Sequence, residues 1–394
     1  MQITVFLFWT LLIIIFYAYI GYGLLLWAIV AGKPRKTRQY EPGSDFPSVV
    51  HIIAAYNEED FIERKIHNCF SARYPEDKLK VIIITDGSSD KTPEIVKRFP
   101  MVTHLHQPKR EGKVAAINRA VSHVTIADIL VFSDANALIN PDALILLTSH
   151  YADPLVGGVS GEKVVLSDDE EMIQAKGEGL YWKYESWLKK MDSDFYSVAG
   201  AAGELFSVRK KLYQDIPESI ILDDLYLSLL INKKGYIIPY EPKAFASELP
   251  SSSIKDESKR RIRISAGAFQ TLALLPELMN IFRHGRFAFQ YISHRVLRWA
   301  VCPFALPFIL LLNIIIVSTN RSWIYKGLLA TQVSFYLLAC IGAFLSDKKQ
   351  GLGKIFFIPF YFVFLNISVW AGFFRYLRGS QSSIWEKANR KLHQ

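Results

Sequence analysis

Four stretches without a charged residue constrain the fold of this 394-residue chain most strongly. The charge-free stretches are residues 1–32, 300–320, 327–346 and 355–374. Each is about as long as a helix must be to cross the roughly 30 Å hydrocarbon core of a bilayer. We therefore predict one N-terminal transmembrane helix over residues 1–32 and a C-terminal transmembrane region of about three segments over residues 300–375.

The N-terminal stretch is more typical of a retained membrane anchor than of a secretory signal. Its apolar run is far longer than the roughly 7 to 15 residues of a signal core, and no basic leader precedes it. Basic residues follow it directly, at Lys33, Arg35, Lys36 and Arg38. By the positive-inside rule we expect a multi-pass protein of the inner or plasma membrane in which residues 33–270 form a cytoplasmic domain.

The C-terminal tail, residues 376–394, does not fit this simple topology. Three further crossings would place the tail outside, although basic residues lie in it and just before it, at Arg375, Arg378, Lys387, Arg390 and Lys391. Either one late segment is re-entrant or the positive-inside rule does not hold for this chain.

Residues 271–299 are apolar but interrupted by charged and histidine side chains. The interrupting residues are Glu277, Arg283, His284, Arg286, His294, Arg295 and Arg298. Basic residues among aromatic ones suit amphipathic helices that lie in the headgroup region, which is our interpretation. The alternative is an ordinary packed helix.

The overall charge indicates a membrane-surface protein rather than a nucleic-acid-binding one. A net charge of +9 and a pI near 9.2 fit an anionic cytoplasmic leaflet, so we expect membrane lipids as partners. No basic-aromatic repeat or zinc framework accompanies the charge, so no nucleic-acid partner is expected. The three cysteines are scattered and imply neither disulfides nor a metal cluster.

Between residues 46 and 134, short β-branched runs alternate with helical patterns. This alternation predicts an α/β fold with parallel strands covered on both faces. The polar segments "AYNEE", "DGSSD" and "DANA" each follow a predicted strand. Because the carboxyl ends of parallel strands line one crevice, we expect these segments to form a ligand site. Further on we predict a strand over 155–167, a helix over about 168–188 and a hairpin over 235–249.

The first two strand-end segments are suited to a nucleoside. In "AAYNEED" the strand ends at small residues including Ala54, and Tyr56 offers a ring on which a base stacks, while Glu58 begins a helix. A well-capped helix explains the Asn and Glu of this segment equally well. In "TDGSSD", Asp86 can accept hydrogen bonds from ribose hydroxyls or a pyrimidine imide, although such turns are also common caps.

Two later segments are suited to phosphates and a metal ion. "KREGKVAAIN" places Lys113 at a loop-to-helix junction, where backbone N–H groups and an ammonium meet phosphate. A solvated basic loop is the alternative. "FSDANA" puts Asp134 and Asn136 on one side of a strand exit. Such oxygen ligands suit Mg²⁺ or Mn²⁺ against a diphosphate, and a plain strand-end turn would have a similar sequence.

Seven segments in order resemble glycosyltransferase family 2, the inverting sugar transferases with a GT-A fold. They are "AYNEE", "TDGSSD", "GKVAAIN", "SDANA", "GAAGELF", "LDDLYLSLLI" and "RRIRISAGAFQTL", which begin at Ala55, Thr85, Gly112, Ser133, Gly200, Leu222 and Arg260. With the flanking apolar stretches, the chain is similar to the membrane-bound branch that includes chitin, hyaluronan and cellulose synthases and exopolysaccharide transferases. The resemblance implies a GT-A, Rossmann-like mixed sheet domain with added transmembrane and interfacial helices.

The resemblance also implies roles in donor binding. Tyr56 and Asp86 would hold the nucleobase, with Ala54 in the same loop, and Glu58 would hold the nucleoside. The remaining contacts implied for the nucleotide and its diphosphate are Lys113, Asp134, Arg260 and Arg263. Asp134 and Asn136 would bind Mg²⁺ or Mn²⁺, Asn136 standing where the family's D-x-D motif has its second acid.

For the acceptor, the resemblance implies that Asp224 is the general base and Asp223 the acid before it. Gly203 and its neighbours would shape the acceptor site. One position departs from the processive synthases, whose Q-x-x-R-W motif ends in a tryptophan. This chain keeps the cation, Arg263, but has Ile264 next, so no aromatic platform for the acceptor sugar is expected there.

The leading hypothesis is a membrane-embedded inverting hexosyltransferase. It would move a sugar from a nucleotide-sugar donor, expected to be UDP-linked, to a lipid-linked or growing polysaccharide acceptor. A processive polysaccharide synthase is the alternative. A membrane protein that binds nucleotide sugars without turnover is a third, against which Asp224 and Arg263 argue because binding alone needs neither.

Overall fold

The computed structural model describes residues 2–32, 34–40, 45–166, 173–249, 253–320, 322–346 and 353–382. Side chains are described in these ranges except at 173–181, 346 and 354. The helices are α1 (Gln2–Phe16), α2 (Tyr22–Val30), α3 (Ile62–Phe70), α4 (Thr92–Lys97), α5 (Lys113–Ser122), α6 (Ala143–Ser149), α7 (Ile173–Phe195), α8 (Asp223–Lys233), α9 (Ile254–Leu274), α10 (Ile281–Gln290), α11 (Cys302–Thr319), α12 (Trp323–Ser346) and α13 (Lys354–Leu377).

One eight-stranded sheet forms the centre of the domain. Its strands are β1 (Val49–Ala55), β2 (Leu79–Asp86), β3 (Val102–Gln107), β4 (Ile129–Ser133), β5 (Leu138–Ile139), β6 (Gly158–Val165), β7 (Leu205–Arg209) and β8 (Tyr240–Glu248). The order across the sheet is β3-β2-β1-β4-β7-β6-β8-β5. β3, β2, β1 and β4 are parallel, whereas β7 is antiparallel to both β4 and β6. The predicted mixed sheet with helices is confirmed.

The apolar runs of the central strands account for burial on both faces of the sheet. Consecutive residues of β1 point to opposite faces. Ile52 packs in a core cluster with Ile117 of α5, whereas Ile53 packs in another with Ile66 of α3. Burying one such side chain stabilises the folded state by roughly 1.5–3 kcal/mol, so burial on both faces holds β1 firmly within the sheet.

The carboxyl ends of β1, β2 and β4 meet at one edge, as predicted. β1 pairs in parallel with β2 on one side and with β4 on the other. The segments that begin with Tyr56, Asp86 and Asp134 therefore leave the sheet side by side. This edge is the crevice in which the candidate site lies.

The predicted hairpin over residues 235–249 is wrong. The segment contains a single strand, β8, which runs parallel to β6, and Ile237 also forms a parallel bridge with Val156. Gly235 has a φ of +84°, which suits the end of a helix rather than a hairpin turn, and it lies two residues after the last residue of α8. Pro242 lies at an irregularity of the β6–β8 register, where a missing N–H is tolerated.

Two predicted helix bounds also differ. The helix expected to begin at Glu58 begins instead at Ile62, after a turn in which the N–H groups of Phe61 and Ile62 donate to the carbonyl oxygen of Glu58. The helix expected over 168–188 extends to Phe195, and residues 168–172 lie outside the described part of the chain.

In the described part of the chain, four helical segments are long and apolar enough to cross a membrane. They are Gln2–Val30, Ile281–Thr319, Trp323–Leu345 and Ile355–Leu377. The second begins well before residue 300 and bends at Gly285, which has a φ of 47° and a ψ of −116°. Of the basic tail, Lys387, Arg390 and Lys391 lie outside the described residues.

Some of the basic side chains in residues 271–299 pair with carboxylates of the protein itself. His294 Nδ1 lies 2.5 Å from Asp192 Oδ2, and Arg295 and Arg298 lie 3.2 and 2.6 Å from the carboxylate oxygens of buried Glu185. These three side chains tie the helical segment to α7. The interpretation as lipid-contacting basic residues therefore stays a prediction for exposed Arg283 and Arg286 only.

Candidate active site

The loops that follow β1 and β2 are joined by reciprocal hydrogen bonds. The side-chain oxygen of Asn57 accepts from the backbone N–H of Ser89 at 2.8 Å, and the Asn57 N–H donates to the Ser88 hydroxyl at 3.1 Å. The Glu58 N–H donates to the Thr92 hydroxyl at 2.8 Å. Asn57 thus binds the neighbouring loop rather than capping α3, so the two loops act as one wall of the crevice.

Tyr56, the predicted base-stacking residue, is covered on one face by Arg110. The guanidinium carbon lies 3.6 Å from the ring centroid, close enough for a strong cation–π contact. A nucleobase at this position would meet a flat surface built from a phenol ring and a guanidinium. Nucleoside contacts of Glu58 and of Ala54, which is paired within β1, stay predictions.

Asp86 is buried at 4 % exposure and holds the loop that precedes α5. Its carboxylate accepts from the backbone N–H groups of Glu111 at 3.1 Å and Gly112 at 2.7 Å, and Arg119 lies 3.3 Å away. The predicted nucleobase contact is not tested by this arrangement. What the arrangement provides is a fixed starting point for the helix that begins with Lys113.

Lys113 joins the strand-end edge to the start of α8. Its Nζ lies 2.8 Å from Asp134 Oδ1 and 3.8 Å from Asp223 Oδ2. Burial lowers the pKa of Lys113, but the two carboxylates outweigh burial, and its pKa is raised above the ordinary value. The ammonium is therefore charged throughout the physiological pH range.

The residues around Asp134 offer two of the oxygen ligands that a divalent cation needs. Ala135 and Ala137 are buried while Asp134 and Asn136 are partly exposed, which leaves both potential ligands at the crevice. The Lys113 ammonium shows that a cation is accommodated beside Asp134. Among the described residues no group of three or more His, Cys, Asp or Glu side chains is placed to hold a metal. Phosphate oxygens and waters would have to complete the shell, as is usual for Mg²⁺.

Asp224 is the second residue of α8 and lies in a narrow cleft with apolar walls that include Ile117, Phe132 and Leu227. Burial, followed by the neighbouring charge of Asp223, raises the pKa of Asp224 to about 7. Gly203 makes room for this carboxylate, because a Cβ at Gly203 would lie 2.8 Å from Asp224 Oδ2. A carboxylate with such a pKa can accept a proton near neutral pH.

Arg263 and Arg260 lie one turn apart on α9 but have different surroundings. Arg263 Nη2 donates to the carbonyl of Ile221 at 3.1 Å, and its buried Nε has no hydrogen-bond partner among the described residues. Burial lowers the pKa of Arg263, and the charges of Asp223, Asp224 and Asp134 oppose that effect. Arg263 is thus a cation directed at the acidic cleft.

Arg260 lies in a buried ion cluster beside the cleft. It is 3.2 Å from Glu204, which in turn is 3.0 Å from the fully buried Lys163. Glu248 also pairs with Lys163. Burial raises the pKa of Glu204, but Lys163 and Arg260 lower it overall, so Glu204 is ionised. Contact of Arg260 with the donor stays a prediction.

Several residues of the site were missed from the sequence. They are Lys65, Asn68, Arg110, Arg119 and Glu204. Lys65 alone had a readable signal, since it occupies an apolar stripe of α3 with Ile62, Ile66 and Cys69 at helical spacing. The others, Asn68 and Arg119 on helices and Arg110 and Glu204 in loops, have partners that are distant in sequence.

The family comparison agrees with this geometry. Residues 51–216 match the model of glycosyl transferase family 2. This stretch of the chain is thus similar to glycosyl transferase family 2. That match covers the strand-end loops, Lys113, Asp134 and Gly203, whereas Asp224 and the arginines of α9 lie beyond it. The match supports a transferase activity.

Curated relatives include exopolysaccharide synthases. The chain is 25% identical over 236 residues to the poly-beta-1,6-N-acetyl-D-glucosamine synthase of Staphylococcus aureus strain MSSA476, covering 58% of this chain and 56% of that protein. The synthase of the same name from Staphylococcus epidermidis is 25% identical over 229 residues, covering 56% of this chain and 54% of that protein. The aligned part therefore spans only about half the length of these relatives.

A solved structure extends the likeness in fold to almost the whole chain. The mannosyltransferase PcManGT from Pyrobaculum calidifontis, in complex with GDP-Man and Mn²⁺, has a TM-score of 0.73 and 23% sequence identity. The comparison covers 95% of this chain and 99% of that one. The GT-A fold expected from the sequence, together with its apolar helices, is confirmed.

Proposed function

We propose that this protein is a membrane-embedded inverting glycosyltransferase. It moves a sugar from a nucleotide donor, with a UDP-sugar as the first choice, to a lipid-linked or growing polysaccharide acceptor at the cytoplasmic face. Asp224 is the general base. The similarity to polysaccharide synthases and the four apolar helices support the acceptor and the location.

One observation carries the proposal: the Asp224 carboxylate, with a pKa raised to about 7, lines a narrow cleft with Asp223, and the positive charges of Lys113 and Arg263 act on this acidic pair. Helices α5, α8 and α9, which are far apart in sequence, thus supply both cations for a diphosphate and a base for a hydroxyl. A protein that only binds nucleotide sugars would not need the base.

The reaction follows from these positions. Asp224 accepts the proton of the acceptor hydroxyl as that oxygen forms a bond to the anomeric carbon of the donor sugar. The bond between the anomeric carbon and the diphosphate breaks, and the diphosphate leaves with the electron pair. Lys113 and Arg263 stabilise the negative charge that develops on it. Attack opposite the leaving group inverts the anomeric configuration.

Asp134 and Asn136 would hold a divalent metal, which when bound supplies positive charge to the leaving diphosphate. Transfer activity is therefore expected to fall to background in excess EDTA and to return with Mn²⁺ or Mg²⁺. The matched control is EDTA with an equal excess of Mg²⁺, with thermal unfolding followed in parallel to exclude loss of the fold. Activity that is undiminished by EDTA would rule out the metal.

The pH dependence of kcat/KM tests the base directly. Asp224 must be ionised to act, and its pKa is about 7, so kcat/KM is expected to fall about tenfold per pH unit below that value. Asp223 raises this pKa and Lys113 lowers it, with Glu204 a further raising charge. Asp223→Asn should therefore move the acid limb to lower pH. An acid limb of the kcat/KM profile centred near the ordinary carboxyl pKa of about 4 would exclude Asp224 as the general base.

A processive synthase is the second candidate, favoured by the similarity to poly-beta-1,6-N-acetyl-D-glucosamine synthases. Ile264 argues against it, because an isoleucine offers no aromatic face for an acceptor sugar. Product length separates the two candidates.

The decisive experiment offers a panel of radiolabelled UDP-sugars and GDP-mannose to membranes that contain this protein. GDP-mannose is included because the structural neighbour was solved with it. Products are divided into lipid-soluble and polymeric fractions. Label in the lipid fraction supports stepwise transfer, and label in long polymer supports the processive alternative. Absence of transfer from every donor, together with retained UDP binding, would favour the non-catalytic alternative.

A further inference from the structure

Helix α3 contacts the backbone that directly follows Asp134–Asn136 through two side chains, Lys65 and Asn68. Lys65 Nζ donates to the carbonyl oxygen of Ala137. Asn68 donates from Nδ2 to the carbonyl of Ile139 at 2.8 Å and accepts at Oδ1 from the N–H of Ile139 at 2.9 Å. One helix therefore fixes three backbone groups of this short segment.

A lysine at this position is not explained by packing. Lys65 is 0 % exposed and lies among the apolar residues Ile62, Ile66 and Cys69. Burial of an ammonium is costly, and an aliphatic side chain would fill the same stripe without that cost. Among the described residues, no carboxylate lies within ion-pair distance of Lys65. Its ammonium instead donates to the carbonyl oxygen of Ala137. The contact with the loop is what the lysine adds.

The same helix also begins at the donor side of the crevice. The N–H groups of Phe61 and Ile62 both donate to the carbonyl oxygen of Glu58 at 2.9 Å. α3 thus connects the loop of Tyr56 and Glu58 at its start with residues 137–139 along its length. The distance between the two loops is set by a rigid helix rather than by flexible chain.

We propose that Lys65 and Asn68 are positioning residues for the segment that carries the proposed metal ligands, Asp134 and Asn136. By fixing Ala137 and Ile139, they hold the oxygens of Asp134 and Asn136 toward the divalent ion. This inference rests on the proposed function, since it needs a metal at that loop. Positioning matters because Asp134 is the single carboxylate of the proposed ligand pair, so the affinity of this site for a metal ion is expected to be low.

The test measures Mn²⁺ affinity rather than turnover, using full-length protein in nanodiscs. Free Mn²⁺ is followed by electron paramagnetic resonance at saturating UDP. Lys65→Met and Asn68→Leu are each expected to raise the Mn²⁺ dissociation constant about 10- to 100-fold, the usual effect of removing a residue that orients a metal ligand. Tyr74→Phe is the matched control, because Tyr74 donates to the carbonyl of Pro47 at 2.6 Å at the opposite end of β1. It should bind Mn²⁺ like the wild type.

Separate outcomes overturn the two proposals. If the wild type binds Mn²⁺ with UDP and both variants bind it equally well, the positioning role is wrong and the metal site stands. If the wild type itself does not bind Mn²⁺ with UDP, the metal assignment fails and this inference with it. Should Lys65→Met not fold, Lys65→Gln and Asn68→Leu decide the question, and wild-type affinity in both rejects it.

Discussion

Replacing Asp224 by asparagine is expected to lower kcat about 10²- to 10⁴-fold while leaving UDP binding at least as tight as in the wild type. The amide has nearly the same shape but cannot take the acceptor proton. Asp224 interacts electrostatically with Lys113 and Arg263, so loss of its negative charge should strengthen diphosphate binding rather than weaken it. Radiolabel transfer and calorimetric UDP binding, measured on the same preparation, give the two values.

A second signature belongs to the same variant. Its residual activity should no longer depend on pH near 7, because the group with that pKa has been removed. Asp215→Asn is the control, since Asp215 is an exposed acid a few residues upstream. Turnover by the Asp224→Asn variant near the wild-type rate would show that another group is the base.

Gly203→Ala is expected to lower kcat about 10²-fold, the size of effect that a misplacement of roughly 1 Å produces at a reacting group. The added Cβ would lie 2.8 Å from Asp224 Oδ2 and 3.2 Å from its Cγ, so the carboxylate must move. Asp224 has a short side chain on the first turn of α8 and can only turn away from the cleft. Steady-state kinetics with separate kcat and KM values would measure this.

The control for this substitution is Gly32→Ala, where no heavy atom lies within 4 Å of the added carbon. It should retain wild-type kcat. Donor binding should survive in Gly203→Ala because the donor-side loops are untouched. If Gly203→Ala keeps the wild-type kcat, the tight approach of Gly203 to Asp224 has no catalytic role.

Local patterns were enough to predict the edge of the sheet at which the site lies. The apolar runs of β1, β2 and β4 are short and continuous, and each ends at a polar residue, so their carboxyl ends could be placed together before the structure was known. The apolar helices were equally readable, because length and absence of charge are properties of one segment at a time. The prediction of a hairpin over 235–249 was wrong because a glycine such as Gly235 suits both a hairpin turn and the end of a helix. Local sequence does not distinguish the two.

The partners of the charged side chains were not predictable in the same way. Lys113 meets Asp223 across 110 positions of sequence, because β7 inserts antiparallel beside β4 and brings α8 over the strand ends. Arg260 was assigned to the donor by resemblance, yet it pairs with Glu204. Such pairings depend on the order of strands in the sheet, which no spacing rule in the chain encodes.

The packing of α9 has a consequence for how the lipid environment reaches the donor site. Arg263 lies on α9, and the apolar helix α13 packs so closely along α9 that a Cβ at Gly372 would lie 2.4 Å from Ser265 Cβ. Phe269 and Phe373 are also in contact, with ring centroids 5.0 Å apart. A tilt of α13 forced by a thinner or thicker bilayer would be carried to the arginine through this contact. Under the proposed function, hydrocarbon thickness would become a variable of catalysis, and a fragment cut free of its membrane helices would lose the packing partner of the helix that carries Arg263.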